Sequence, residues 1–229
     1  MKSKTGKPAP VDDFSEPAWE IARLFPAQGA WCEDEYLALE TNRLVELSQG
    51  RIEVLTVPTT SHQMLTAYLY GLLLAFASAR DLGTVLIAGT RVQLWPDTIR
   101  EPDVVFLLKE HADRMSEEYL LGADLVMEVV SGGAEDRRRD LKKKRREYAQ
   151  AGIPEYWIVD PREERITVLR LDGKKYAVHG EYAKGTKAAS HLLPGFEADV
   201  AATFAQRLPA APKPRRRPRG GRRNGKDDK

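Results

Sequence analysis

Leu125-Val-Met-Glu-Val-Val130, Asp140-Leu-Lys-Lys-Lys-Arg-Arg-Glu-Tyr-Ala149 and Glu155-Tyr-Trp-Ile-Val-Asp160 are three successive segments whose reading decides the fold. The first is an apolar run interrupted only by Glu128, which predicts a strand buried on both faces. The second sets Leu141, Lys144 and Tyr148 at i, i+3 and i+7, one face of a helix, with Gly152 marking its end. The third is a strand stopped by Pro161. Upstream, strand-like runs lie at 84–88, 91–95 and 103–108. Before them a helix over 62–80 is predicted from the 3.6-residue spacing of Leu65, Leu69, Leu72, Leu73 and Phe76, with cap candidates at Thr59-Thr-Ser61. Earlier still, 43–48 and 51–57 read as a hairpin turning at Gly50, preceded by a short helix over 32–39. Downstream, 165–171 and 175–178 flank Asp172-Gly173 as a second hairpin. Strands, helix, strands, helix, strands predict an α/β domain with a mixed central β-sheet flanked by helices.

The chain has 229 residues and 42% hydrophobic content, enough for one sizeable core plus tails. A single cysteine, Cys32, excludes an internal disulfide and a cysteine-based zinc site. The basic start leads into no apolar stretch, so no secretory signal is expected. The longest apolar run, at 68–77, is too short to span a bilayer. A cytoplasmic protein without a membrane partner is the expectation. Net charge is +2, but residues 209–229 hold nine Lys/Arg against two Asp, and the first ten residues add three lysines. The body between is therefore acidic, unlike a protein that grips nucleic acid through a broad basic face. The expected boundaries are a partly disordered extension at 1–28, a folded domain at 29–206 and a disordered basic tail at 207–229. The chain shows no internal repeats.

Lys144 shares its helical face with Leu141 and Tyr148, so its amine points inward. Glu128 lies in a buried strand, and Asp103 opens the run Glu101-Pro-Asp-Val-Val-Phe-Leu-Leu108. Two carboxylates and an amine directed inward are expensive to bury unless they hold something. A divalent metal and a phosphodiester are the guests this set predicts. Magnesium takes one or two carboxylates, with water and phosphate completing its shell. Asp103 and Glu128 can supply the carboxylates, with the carbonyl of Val129 or Val130 as a further oxygen. The expected ion is Mg²⁺, with Mn²⁺ as an alternative.

The series Arg100-Glu-Pro-Asp103-Val, Leu125-Val-Met-Glu128-Val-Val-Ser131, Asp140, Lys144, Tyr148-Ala and Gly152-Ile-Pro-Glu-Tyr-Trp-Ile-Val-Asp-Pro161 resembles the Uma family of restriction endonucleases. That family belongs to the PD-(D/E)XK nuclease superfamily, and the resemblance runs over residues 36–196. It implies a restriction-endonuclease-like core at 29–206, with the metal-binding acids on Asp103 and Glu128. The wider superfamily places its lysine two residues after the second acid; here Val130 stands there. The resemblance implies that the lysine has moved to the helix as Lys144. Glu46 and His62 also match recurrent family positions, whereas Ser131-Gly-Gly replaces the usual Ser-Pro-Ser.

Each residue also has a plainer reading. Asp103 can be a turn residue and Glu128 the structural partner of Lys144, or Lys144 can snorkel to solvent. Glu46 can be a cross-strand partner of Arg51 or a third acid, and His62 a core or helix-start residue. Tyr156 and Trp157 read as core, and Asp160 as a turn residue or an acid facing the site. The cations at 137–139 and 142–146 read as a solvated face or a track for a DNA backbone. The reading favoured is a magnesium-dependent endonuclease acting on DNA, with Asp103, Glu128, Lys144, Glu46 and His62 as its catalytic set. Arg100, Arg137, Arg138, Arg215, Arg216 and Arg217 are the expected nucleic-acid contacts, and a homodimer is left open. The competing readings are an inactive nuclease-fold module that binds nucleic acid or protein, and a structural α/β domain with a buried salt-bridge network.

Overall fold

A computed structural model describes residues 25–41 and 43–208. Most of the extension expected at 1–28 and the basic tail from 209 lie outside the described residues. Helix α1 (Glu33–Leu37) precedes a hairpin of β1 (Val45–Ser48) and β2 (Arg51–Val54). The hairpin turns at Gln49 and Gly50, both at positive φ (51° and 71°), as the two-residue loop that matches strand twist requires. A Cβ at Gly50 would lie 2.8 Å from the Gly29 carbonyl oxygen, so only glycine fits there. Helix α2 (Thr60–Ser78) starts two residues earlier than its apolar pattern indicates, because Thr59 accepts the His62 amide at 3.2 Å and caps it. Leu65, Leu69, Leu73 and Ala77 form its buried stripe; each buried leucine contributes about 1.5–3 kcal/mol.

Next come β3 (Gly83–Ile87), β4 (Val92–Trp95), β5 (Thr98–Arg100) and β6 (Val104–Leu108), a 3₁₀ segment (Lys109–Arg114), β7 (Leu120–Leu121) and β8 (Leu125–Val129). The helix carrying Lys144 has three parts: α3 (Ala134–Arg138), a π-helical segment (Arg139–Lys144) and α4 (Arg145–Gln150). The fold closes with β9 (Glu155–Asp160), the long hairpin β10 (Arg165–Asp172) and β11 (Lys175–Ala183), the pair β12 (Lys187–Ala189) and β13 (Glu197–Asp199), and α5 (Val200–Phe204).

The central sheet is mixed, as the element order predicts. Its order is β11-β10-β9-β8-β6-β3, with β8 and β9 parallel and the other neighbours antiparallel. Parallel neighbours need a long crossover, and the helix at 134–150 supplies it. Side chains alternate across this sheet. Val104, Phe106, Leu125, Met127, Val129, Trp157 and Val159 pack with α2. Val105, Val126, Tyr156 and Ile158 pack with Tyr148 and Ala149 on the other face. Glu128 shares parity with Val126, so its carboxylate meets the crossover helix.

The run at 91–95 does not join the central sheet. It enters a second sheet of order β2-β1-β5-β4-β7. The three-residue β5 pairs with β1 and β4, and residues 101–103 carry the chain from it into β6. The two sheets thus meet at the Glu101-Pro102-Asp103 connector.

Candidate active site

Strand register brings the acids together. Val104 is opposite Met127, so one step further along the pair sets Asp103 beside Glu128. In the second sheet Leu47 is opposite Ile99, so Glu46 adjoins Arg100, directly before the connector. From the crossover helix, Lys144 sends its Nζ to 2.7 Å from Glu128 Oε1 and 3.2 Å from Glu46 Oε1. Lys144 is 2% exposed, so it does not snorkel. The Tyr148 hydroxyl donates to the same Glu128 oxygen at 2.6 Å. Asp140, four residues before Lys144, is also buried, and its Oδ2 accepts the Ser131 amide at 3.5 Å. Asp140 and Lys144 both sit in the π segment, a geometry frequent at functional sites.

Asp103 is tied to the strand beside it, its Oδ2 accepting the Val129 amide at 2.7 Å. The His62 ring, delivered by the first turn of α2, donates through Nε2 to the Val129 carbonyl at 2.9 Å and lies 3.3 Å from Asp103 Oδ2. Its Nδ1 is buried with no hydrogen-bond partner among the described residues. Glu101 accepts from the Tyr36 hydroxyl at 3.4 Å through Oε1; its Oε2 is buried with no hydrogen bond among the described residues, and Glu46 Oε2, likewise without one, lies 3.8 Å from Arg100 Nε.

The charges are out of balance. A cavity of about 30 Å³ is lined by Glu101, Asp103, Glu128 and Asp140, against Lys144, Arg139 and His62. Burial raises Glu128 to about 8 despite Lys144, with Asp103 and Asp140 adding to the rise. Burial and the Glu46 charge raise Glu101 to about 7, and burial also raises Asp140. Burial disfavours the charged Lys144 amine, but Glu128, Glu46 and Asp140 hold it protonated, well above the ordinary lysine range. Burial likewise opposes protonation of His62, and the Asp103 carboxylate outweighs it, so the imidazole is raised. Burial is the main cause of these raised carboxyls, and an added positive charge within reach would favour their ionised form.

Among the described residues, no group of three or more His, Cys, Asp or Glu side chains forms a ready metal cage. Magnesium does not demand one, since water and phosphate fill much of its shell. Asp103, Glu128 and the Val129 carbonyl fit such a partial shell, and the cavity matches one water or ion.

Several residues sit elsewhere than expected. Arg100 is wholly buried and cannot reach DNA. Its guanidinium is spent on Glu147 (2.9 and 2.8 Å), the Leu47 and Ile99 carbonyls and Ser48 Oγ. Arg137 is committed to Asp160 through two hydrogen bonds of 2.9 and 2.7 Å. Arg138 is exposed. Arg215, Arg216 and Arg217 lie outside the described residues. Glu46 is not the partner of Arg51, which stands opposite Ser48. Asp160 accepts the Arg162 amide at 3.0 Å and acts as a turn residue. Val130 is buried in the core.

Tyr148, Asp140 and Glu101 were assigned no role from the sequence. A signal for all three exists. Asp140 and Tyr148 lie four residues either side of Lys144, and Glu101 lies two before Asp103 on extended chain, hence on its face.

The fold defines the class, a mixed α/β domain of nuclease-like architecture. It is similar to a "putative nuclease belonging to DUF820" from Anabaena variabilis, with a TM-score of 0.63 and 17% identity, covering 77% of this chain and 99% of that one. Residues 33–201 match the Uma2 family, described as "Putative restriction endonuclease", and the chain belongs to that family. No curated protein matches. Family and fold support a nuclease function. Among the described residues no helix is long and apolar enough to cross a membrane.

Proposed function

We propose that this chain is a PD-(D/E)XK-type endonuclease that hydrolyses phosphodiester bonds in cytoplasmic DNA with Mg²⁺, or Mn²⁺ in its place. The observation that carries the reading is the surplus of buried carboxylate around a cavity of ion size. A salt-bridge network serving stability alone would pair its oxygens; here Glu101 Oε2, on a residue of the cavity wall, has no hydrogen bond or ion pair among the described residues. Asp103 and Glu128 are the residues that would hold the ion, with the Val129 carbonyl. Lewis-acid polarisation of the scissile phosphoryl group is the chemistry a divalent ion supplies there when bound. Lys144, fixed by Glu128 and Glu46 and charged, stabilises negative charge growing on the phosphoryl oxygens and orients an attacking water. His62 steadies Asp103 and the Val129 carbonyl against each other. Cutting both strands calls for a second copy of the chain, as in a homodimer.

The competing reading is a nuclease fold without turnover, favoured by the close pairing of Lys144 with Glu128. Plasmid DNA incubated with Mg²⁺, with EDTA and with Lys144→Ala separates the two. Nicking or linearisation by the wild type alone, abolished by EDTA and by Lys144→Ala, is the expected outcome. Calorimetric Mg²⁺ titration should give a binding heat that Asp103→Asn/Glu128→Gln loses and Lys144→Ala largely keeps. Equal Mg²⁺ binding by wild type and the double variant would overturn the metal assignment.

A further inference from the structure

The outer face of the crossover helix holds cations that the site chemistry does not use. Arg138, Lys142 and Arg146 are spaced i, i+4, i+8 and all are exposed, so they form one line along the helix. Across the π-helical segment and into α4, each lies about one helical turn, roughly 5 Å, from the next. Neighbouring cations are engaged elsewhere. Lys143 pairs with Glu53, Arg139 with Asp136 and Asp140, and Arg137 with Asp160, while Arg145 donates to the Tyr176 carbonyl. The three in line form no ion pair with any side chain that the structure describes. A charge run is ordinarily a solvated face, with acids interleaved to offset it. The acids in the groove wall, Glu53 and Asp136, are already spent on other partners.

These three side chains line an open groove of about 920 Å³ between the crossover helix and β2. Thr56 and Arg139 belong both to its wall and to the wall of the catalytic cavity, so the groove ends at the acids. A ligand carrying evenly spaced anions fits a line of evenly spaced cations, and a nucleic-acid backbone is such a ligand. No aromatic side chain lines the groove. Proteins that hold single strands stack bases on aromatic rings, so the lining favours a duplex, whose bases stay stacked within.

We propose that this groove seats the phosphate backbone of duplex DNA, Arg138, Lys142 and Arg146 each meeting one phosphate and leading a strand to the Asp103–Glu128 cavity. The assignment rests on the nuclease reading for its direction, but not for its test. A fluorescent short duplex is titrated with the full-length protein in EDTA, over a series of KCl concentrations, so that no cleavage intervenes. Arg138→Gln/Lys142→Gln/Arg146→Gln should bind about tenfold or more weaker at low salt, and the slope of log affinity against log salt should fall by about 2.7, near 0.9 for each lost phosphate contact. Lys174→Gln/Lys175→Gln/Lys184→Gln removes the same charge from exposed positions on and after the β10–β11 hairpin and should change neither by more than a fraction of that. Equal losses in the two triple variants would reduce the effect to net charge and overturn the proposal. So would an unchanged slope in the groove variant, or a loss confined to single-stranded DNA. Circular dichroism and melting temperature, expected unchanged for exposed substitutions, confirm that the variants fold. A wild type that binds through the groove but never cuts plasmid would end the nuclease reading and keep the groove. Cutting by a protein whose groove variant binds normally would do the reverse.

Discussion

Arg100 and Lys144 are both buried cations among carboxylates, yet they do different work. Arg100 has each guanidinium nitrogen satisfied and stitches Glu147 of the crossover helix to β1. Removing it leaves Glu46 and Glu147 short of a cation, so Arg100→Met should cost about 3–5 kcal/mol in urea unfolding. The salt slope of DNA binding should stay as it is, and a slope lower by about one unit would restore Arg100 as a phosphate contact. A second expectation concerns Asp160. Burial opposes its charge, but the Arg137 hydrogen bonds and the turn amides win, and its carboxyl is lowered. A lowered acid stabilises the fold above its unfolded pKa, and that contribution is lost as pH falls through the folded value. The stability gap between wild type and Asp160→Asn should therefore be present at neutral pH and shrink in acid; a gap constant with pH would show that the charge is immaterial. Lys144 was legible in the sequence because helical spacing put it on an apolar face. Arg100 was not, because an arginine beside an acid reads equally as surface or core until its partner strand is known.

At the scale of elements, the sites of local chemistry were the most readable. Gly50 marked the first hairpin, Pro161 the end of β9, and the leucine spacing marked α2. The cap of α2 also positions His62, which makes it a useful probe. Thr59→Ala should cost about 1 kcal/mol and lower the melting temperature by about 2–4 °C. It should also speed hydrogen exchange at the His62 amide, which loses its acceptor. A variant with unchanged exchange there would show that the cap is dispensable. What stayed hidden was short or non-local. Three residues of β5 are too few to carry a periodic signal, and nothing within 92–95 says which sheet it joins. The π segment is likewise invisible in composition, since its residues are ordinary helix formers.

At the scale of the whole molecule, the mixed central sheet followed from the order of elements, whereas the division into two sheets did not, because it depends on pairings far apart in the chain. Charge is also arranged at this scale. On the proposed nuclease reading, the acidic body is expected to repel DNA at long range and the basic residues from 209 onward to offset this by raising substrate concentration near the protein. Ending the chain after Leu208 should weaken duplex binding and flatten its salt dependence, while cleavage at saturating DNA survives. Identical affinity and salt slope in the shortened protein would remove the tail from the mechanism.

The parallel pairing of β8 and β9 sets an order of closure cost. Glu128 and Lys144 are 16 residues apart, and the crossover helix lies between the two strands it joins, so their meeting closes a short loop. Glu46 comes from a hairpin much earlier in the chain and must close a far longer one. Loop closure becomes slower and entropically costlier with separation. Loop-closure entropy therefore makes the Lys144–Glu128 contact the cheaper one to form and the Lys144–Glu46 contact the costlier. The meeting of the two sheets, rather than the crossover helix, is where closing this charge cluster costs the chain most entropy.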